Sequence, residues 1–190
     1  MSSLLETLLH RLKAALQRVQ LLALGLMCIG ILAAYLVGIY FTGPFHSSSR
    51  WMGAMLACTS VVVVLQKSNY RESVSFGWSR VLGTFAGALI AYIYLRLFHF
   101  SVVGMLGCVV VLETLFMLIN IYNNGHIATI TMLIILLISQ MYPHANPLIN
   151  CTLRFFESVI GVGIGVVLLG VAEQWTHLRE RVASLRKRHR

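Results

Sequence analysis

Aspartate is absent from the 190-residue chain, and its six acidic residues are all glutamates: Glu6, Glu72, Glu113, Glu157, Glu173 and Glu180. Chemistries that need paired carboxylates, for Mg²⁺ binding or for acid/base hydrolysis, therefore have almost nothing to work with. That argues against membrane phosphatases, aspartyl-type proteases and CDP-alcohol transferases. No nucleophile–base constellation replaces them, so no enzymatic activity is expected. Charge of either sign is scarce as well, at 11% of residues against about 25% in a soluble domain. Cysteine is limited to four positions. Cys28, Cys58 and Cys108 fall within apolar runs, and Cys151 is read as a loop residue. Their spacings match no metal site and no disulfide framework, so they read as small apolar fillers. No metal and no cofactor is expected.

What the chain has in quantity is hydrophobic sequence, 58% of all residues. Six apolar runs are close to the 17–25 residues that cross a bilayer core of about 30 Å. They fall at about 21–41, 50–66, 79–97, 102–119, 126–142 and 154–174. Polar, glycine- and proline-bearing breaks separate them: "TGPFHSSSR", "QKSNYRESVSFGWS", "RLFHFS", "NIYNNG" and "YPHANPLIN". In residues 1–20 the apolar positions Leu5, Leu8, Leu12, Leu16 and Val19 recur at three or four, with Arg11, Lys13 and Arg18 on other faces. This predicts an interfacial amphipathic helix rather than a cleavable signal. Residues 176–190 read as a basic helical tail.

Lysine and arginine set the orientation. With the N-terminus inside, twelve of the fifteen fall on inner segments, leaving Arg50, Arg96 and Arg154 outside. This bias predicts that both termini are cytoplasmic. The net charge of +9 is thus a membrane-surface feature, with lipid as partner and no nucleic acid.

The stretch "SRVLGTFAGALIA" at 79–91 has a counterpart, "LRFFESVIGVGIG", 74 residues later. Arg80 then matches Arg154, Gly87 matches Gly161, Ile90 matches Ile164 and Gln66 matches Gln140. Trp51 meets Gly125, which predicts that the second spans are in register too. Three spans per unit is an odd number, so the second unit enters the membrane from the opposite side. The expected fold is all-α, with six transmembrane helices as two inverted three-helix repeats, residues 21–98 and 99–175. Inverted repeats are an architecture of transporters, whose sites lie near the midplane.

An arginine in hydrocarbon costs about 2.5–3.5 kcal/mol at a helix centre and less near an interface. On this reading Arg80 and Arg154 begin their helices at opposite membrane faces, where the partial positive charge of a helix N-terminus aggravates the cost. An anion relieves both, which makes the pair candidate elements of an anion pathway. The plainer account is an arginine anchored to lipid phosphate. Glu157, three residues after Arg154 on one helical face, is positioned to neutralise it. Gly83, Gly87 and Ala91 form a small-residue stripe matched by Gly161 and Gly165. Such stripes let helices approach closely, and spans three and six are expected to cross there, on each other or on their symmetry mates. Glu113, isolated in span four, is a candidate proton-coupling group or a structural partner of Arg96 or His126. Glu157 is a second candidate for proton coupling. Thr84, Gln66, Gln140, Asn124 and His126 complete the candidate pathway.

The segment Arg80-Val-Leu-Gly83-Thr84-Phe-Ala-Gly87, with the preceding "WMGAMLACTSVVVVLQKSNYRESVSFGWS", resembles the membrane unit of the fusaric-acid-resistance (FUSC) and aromatic acid exporter superfamily. The resemblance covers roughly residues 20–175. It implies export of aromatic carboxylates or related organic anions across a bacterial inner membrane. The distantly related aluminium-activated malate transporters imply a dimeric pore of six-span subunits. The large cytoplasmic domain or second membrane half of many members is not expected in this chain, so the resemblance implies a homo-oligomer, with a dimer favoured. A non-transporting membrane subunit that binds a partner through its basic tail and glycine stripes is the alternative.

Overall fold

The structure, a computed structural model, describes residues 21–46, 49–67, 69–119 and 122–188. The amphipathic helix expected over residues 1–20 lies outside them. Among the described residues there is no strand, and six α-helices follow one another: α1 Leu21–Val37, α2 Met52–Leu65, α3 Tyr70–Leu97, α4 Val102–Leu118, α5 Tyr122–Met141 and α6 Pro147–Arg188. Three stretches are long and apolar enough to cross a membrane: Ala23–Phe45, Tyr70–Leu97 and Pro147–Trp175. The apolar helices Met52–Leu65, Val102–Leu118 and Gly125–Met141 are shorter.

Two helices begin well before their apolar runs. Asn69 caps α3, its side chain accepting from the Glu72 amide at 2.8 Å, and Glu72 puts an acid in the first turn. The polar stretch after Gln66 is therefore mostly helix and not linker. Asn146 likewise accepts from the Leu148 amide at 3.0 Å, with Pro147 preset for the first turn of α6. Arg80 thus lies ten residues inside α3, and Arg154 seven inside α6. Neither stands at a helix N-terminus. The dipole term expected for them is lost, because it fades within the first turn. Cys151 belongs to α6 and is buried, not a loop residue. At its other end α6 runs without a break through residue 176 into the basic tail.

Close backbone approach determines the packing. The Gly87 face meets the Ala128 carbonyl of α5, and Gly161 meets the Ala57 carbonyl of α2, with no room for a Cβ at either. Gly83 lies against Ile127, and Gly165 against Val61 and Val64. The stripes therefore seat α3 on α5 and α6 on α2, rather than on each other. Residue numbers rise together along both interfaces, so each pair is parallel. Across α3 and α6 they run oppositely: Thr84 meets Ser158, Phe85 meets Phe155 and Gly77 meets Val162. Exchanging α1, α2 and α3 for α4, α5 and α6 leaves the list of principal neighbours unchanged: α3 with α5, α2 with α6, α1 with α2 and α4 with α5.

The register of the two halves differs in one respect from the sequence reading. Thr84 and Ser158 lie 74 apart and touch each other. Ala57 and Ala128, which occupy equivalent places against Gly161 and Gly87, lie 71 apart. Three more residues separate Ala128 from Ser158 than separate Ala57 from Thr84, so the 74-residue match does not extend to Gln66 and Gln140.

Two apolar clusters fill the bundle. One gathers Ala88, Ala91 and Tyr94 with Leu112, Ala128, Met132, Ile135 and Leu136; the other joins Ala34, Ala57 and Val61. Tyr94 also closes the α3–α4 corner. Its hydroxyl donates to the His99 carbonyl at 3.0 Å and accepts from the Ser101 amide at 3.1 Å. Ser101 in turn caps α4 through the Gly104 amide. Tyr94→Phe removes two hydrogen bonds at a partly wet corner, for an expected loss of about 1–2 kcal/mol. Thermal unfolding in detergent reads this directly.

Candidate functional site

The polar side chains of the interior gather where α2, α3 and α6 meet. Thr84 and Ser158 are fully buried at the antiparallel crossing, their hydroxyls 3.2 Å apart. One turn before each on its own helix stands an arginine. With 1.5 Å of rise per residue, antiparallel helices crossing at Thr84–Ser158 set Arg80 and Arg154 roughly 12 Å apart along the axis, on opposite sides of the crossing.

The two arginines are treated differently. Arg80 is half-buried and reaches α2, donating from Nε to Ser60 at 2.8 Å and from Nη2 to Thr59 at 3.2 Å. Both partners are neutral hydroxyls, so its charge is hydrogen-bonded but not cancelled by them. Arg154 is fully buried. Its Nη1 donates to Glu157 Oε2 at 2.8 Å and to the Met52 carbonyl at 3.0 Å. Its Nε donates to Asn150 Oδ1 at 3.4 Å, and its Nη2 has no partner. Glu157 therefore pairs with Arg154, as their spacing of three residues allows.

Sequence reasoning missed the third member of this group. His46 Nε2 lies 2.6 Å from Glu157 Oε1, across a sequence separation of 111 residues. The chain reaches that point through a special ending of α1. Gly38–Thr42 widens into a π-helical turn, and Gly43–Phe45 tightens into a 3₁₀ turn with Pro44 near its start. The glycines make this ending fit: Gly38 and Gly53 touch backbone to backbone. Thr42, buried beside them, donates to the Gly38 carbonyl at 2.9 Å. The only available hint was a histidine beside Gly-Pro in "TGPFHSSSR", which carries no information about a partner so distant in sequence.

Above this group, between the end of α1 and the α5–α6 turn, lies a cavity of about 270 Å³. Its polar lining comes from His46, Tyr142, His144, Asn146 and Asn150. Phe45, Ile149 and Leu153 are shared with a neighbouring apolar cleft of about 440 Å³ that includes Phe41 and Phe156.

The remaining candidates lie elsewhere. Glu113 is half-buried and accepts from Thr129 at 2.5 Å, so its partner is a hydroxyl and neither Arg96 nor His126. Gln66, Gln140 and His126 are exposed. The Asn124 side chain lies outside the described residues. Gly83, Gly87, Ala91, Gly161 and Gly165 are buried in helix packing. No group of three or more His, Cys, Asp or Glu that could hold a metal ion occurs among the described residues.

An all-helical bundle with three helices long and apolar enough to cross a membrane, and with Arg154 and Glu157 paired in its interior, is the build of an integral membrane protein. The chain belongs to the fusaric acid resistance protein-like family, whose sequence profile matches residues 39–168. No curated protein and no solved structure matches it. Members of this family are integral membrane transporters, generally without enzymatic activity, and membership points to efflux of organic compounds. The matched segment takes in His46, both arginines, Glu113 and Glu157.

Proposed function

We propose that the protein moves small organic anions of the aromatic carboxylate type across the bacterial inner membrane, along a path served by Arg80 and Arg154. The observation that carries this reading is the placement of the two arginines on opposite sides of the Thr84–Ser158 contact. In that arrangement an anion leaving one guanidinium meets the second about two helical turns further on. Cationic groups spaced along a path, each binding weakly enough to release, favour anion passage over cation passage; Arg80 offers its charge beside neutral hydroxyls, and Arg154 offers its own when its partner Glu157 is neutralised. The exchange pattern among helix neighbours supports a six-span bundle of two inverted repeats, with both termini cytoplasmic as the positive-inside bias requires. Homodimerisation belongs to the same proposal, and the apolar face of α4 at Val103, Val110 and Leu118 is a surface that either lipid or a second copy can cover.

Flux of a carboxylate into liposomes tests the reading. Arg80→Gln keeps hydrogen-bonding capacity toward Ser60 and removes the charge. It is expected to lower carboxylate flux by about tenfold or more, the effect of about 1.4 kcal/mol or more on a rate-limiting barrier, with fold and insertion unchanged. Equal flux in Arg80→Gln, Arg154→Gln and the unsubstituted protein would remove the electrostatic basis of the proposal.

A further inference from the structure

We infer that the cavity beside His46 is a carboxylate site that fills together with one proton, taken up by the Glu157–His46 pair. The inference rests on the organic-anion reading and assigns that reading a binding site and a coupling group.

Charge bookkeeping within the buried cluster carries the argument. With His46 neutral, the negative Glu157 and positive Arg154 sum to zero, in a place where both carboxylate and guanidinium are fully shielded from solvent. A carboxylate entering the cavity in that state adds a negative charge to a neutral, poorly solvated site. A proton entering alone leaves Arg154 positive and uncompensated, which is costly in the interior. Proton and carboxylate together restore neutrality. The proton comes from bulk solvent and is held between Glu157 Oε1 and His46 Nε2, which at 2.6 Å share it as a coupled pair. No bond other than this N–H or O–H bond forms.

Geometry connects the charge to the cavity. Arg154 donates to the Met52 carbonyl and the Asn150 side chain, and both of these residues line the cavity wall. Its Nη2 is buried with no acceptor, so the guanidinium has unused hydrogen-bonding capacity. His46 belongs both to the lining and to the proton pair. The groups facing the pair are few. Arg154 comes from α6, while Tyr142 and His144 come from the α5–α6 turn. From α2 the Met52 carbonyl meets Arg154, and on α3 Arg80 is engaged with Ser60 and Thr59. Glu113 is occupied by Thr129 on the α4–α5 side. The adjoining cleft, with Phe41 and Phe156, can take the apolar body of the anion.

The test is benzoate binding to the purified full-length chain in detergent, read by tryptophan fluorescence at about pH 5.5 and about pH 7.5, a range over which a histidine-containing pair can change charge. Linked uptake of one proton tightens binding by up to about tenfold per pH unit as pH falls. In Glu157→Gln, an amide stands in for the protonated carboxyl. Its affinity is expected to stay near the low-pH value of the unsubstituted protein at both pH values. His46→Gln is expected to displace the pH at which affinity changes, giving a second readout should Glu157→Gln fail to fold. An unsubstituted protein with equal affinity at both pH values, or variants that keep its profile unmoved, would overturn the inference while leaving anion transport standing. A chain that neither binds nor conducts any carboxylate at either pH would overturn both.

Discussion

Gly161→Leu is expected to abolish recovery of folded protein, whereas Gly163→Leu, two residues along the same helix, is tolerated. The two glycines differ in what faces them. A Cβ at Gly161 runs into the Ala57 carbonyl and lies 2.7 Å from the Ser60 Cβ, while at Gly163 nothing lies within 4 Å. The obstruction at Gly161 is backbone, which has no rotamer by which to withdraw. α2 and α6 must then separate along their whole contact. Overpacking of this kind costs about 1–3 kcal/mol for small intrusions and more for a leucine. The loss falls where close approach itself supplies much of the association energy of apolar helices. At Gly163 the new side chain meets open space, and helix propensity improves by up to about 1 kcal/mol. Gly87→Leu is expected to behave like Gly161→Leu, because the Ala128 carbonyl blocks it in the same manner. Size-exclusion profiles and thermal unfolding in detergent distinguish the cases. Equal stability of the leucine variants at 161 and 163 would remove the glycine stripe from the account of the fold.

The sequence made some of this readable because apolar periodicity and small-residue spacing are local signals. The six helices, their order and the burial of Gly83, Gly87, Ala91, Gly161 and Gly165 follow from such signals. Helix starts did not, because Asn69 and Asn146 cap their helices within stretches whose polarity reads as loop. That error moved Arg80 and Arg154 from helix ends, where a dipole argument applies, into helix bodies, where it does not. The stripes identified surfaces of close approach but not their partners: an offset of 74 between α3 and α6 does not carry over to the alanines they meet, Ala57 and Ala128, which lie 71 apart. The Arg154–Glu157 pair was legible from a three-residue spacing. His46 was not, since it is brought to Glu157 by a π-turn, a 3₁₀ turn and a glycine contact, none of which leaves a periodic trace. Membership of the fusaric acid resistance protein-like family, read from a short motif around Arg80 and Thr84, is the functional statement that local sequence carried best.

The buried cluster should reveal itself by an asymmetry between its two charges. Glu157→Leu leaves Arg154 with the Met52 carbonyl and Asn150 as partners but no counter-charge, and an uncompensated buried ion costs about 3–5 kcal/mol. Arg154→Met leaves Glu157 facing His46 at 2.6 Å. That imidazole can take up a proton and complete a new pair, so the expected cost is smaller, about 1–3 kcal/mol, by the same reasoning on paired and unpaired buried charge. The double variant Arg154→Met/Glu157→Leu removes both charges, and replacing a buried pair by apolar residues of similar volume is often close to neutral. The cycle should therefore be strongly non-additive: with those single losses and a near-neutral double variant the coupling energy is about 4–8 kcal/mol, above the roughly 0.5–3 kcal/mol usual for residues in contact. Arg154→Met should in addition gain stability as pH falls. The sign follows from the proton count: in that variant the folded state binds a proton at His46 through its contact with Glu157 more tightly than the unfolded chain does, so acid favours folding. Unfolding in detergent at two pH values measures all four corners of the cycle. Additive single losses would mean that Arg154 and Glu157 do not compensate each other, and an Arg154→Met variant whose stability does not respond to pH would mean that His46 does not act as the alternative counter-charge. In that case the histidine would be a packing neighbour of Glu157 and nothing more.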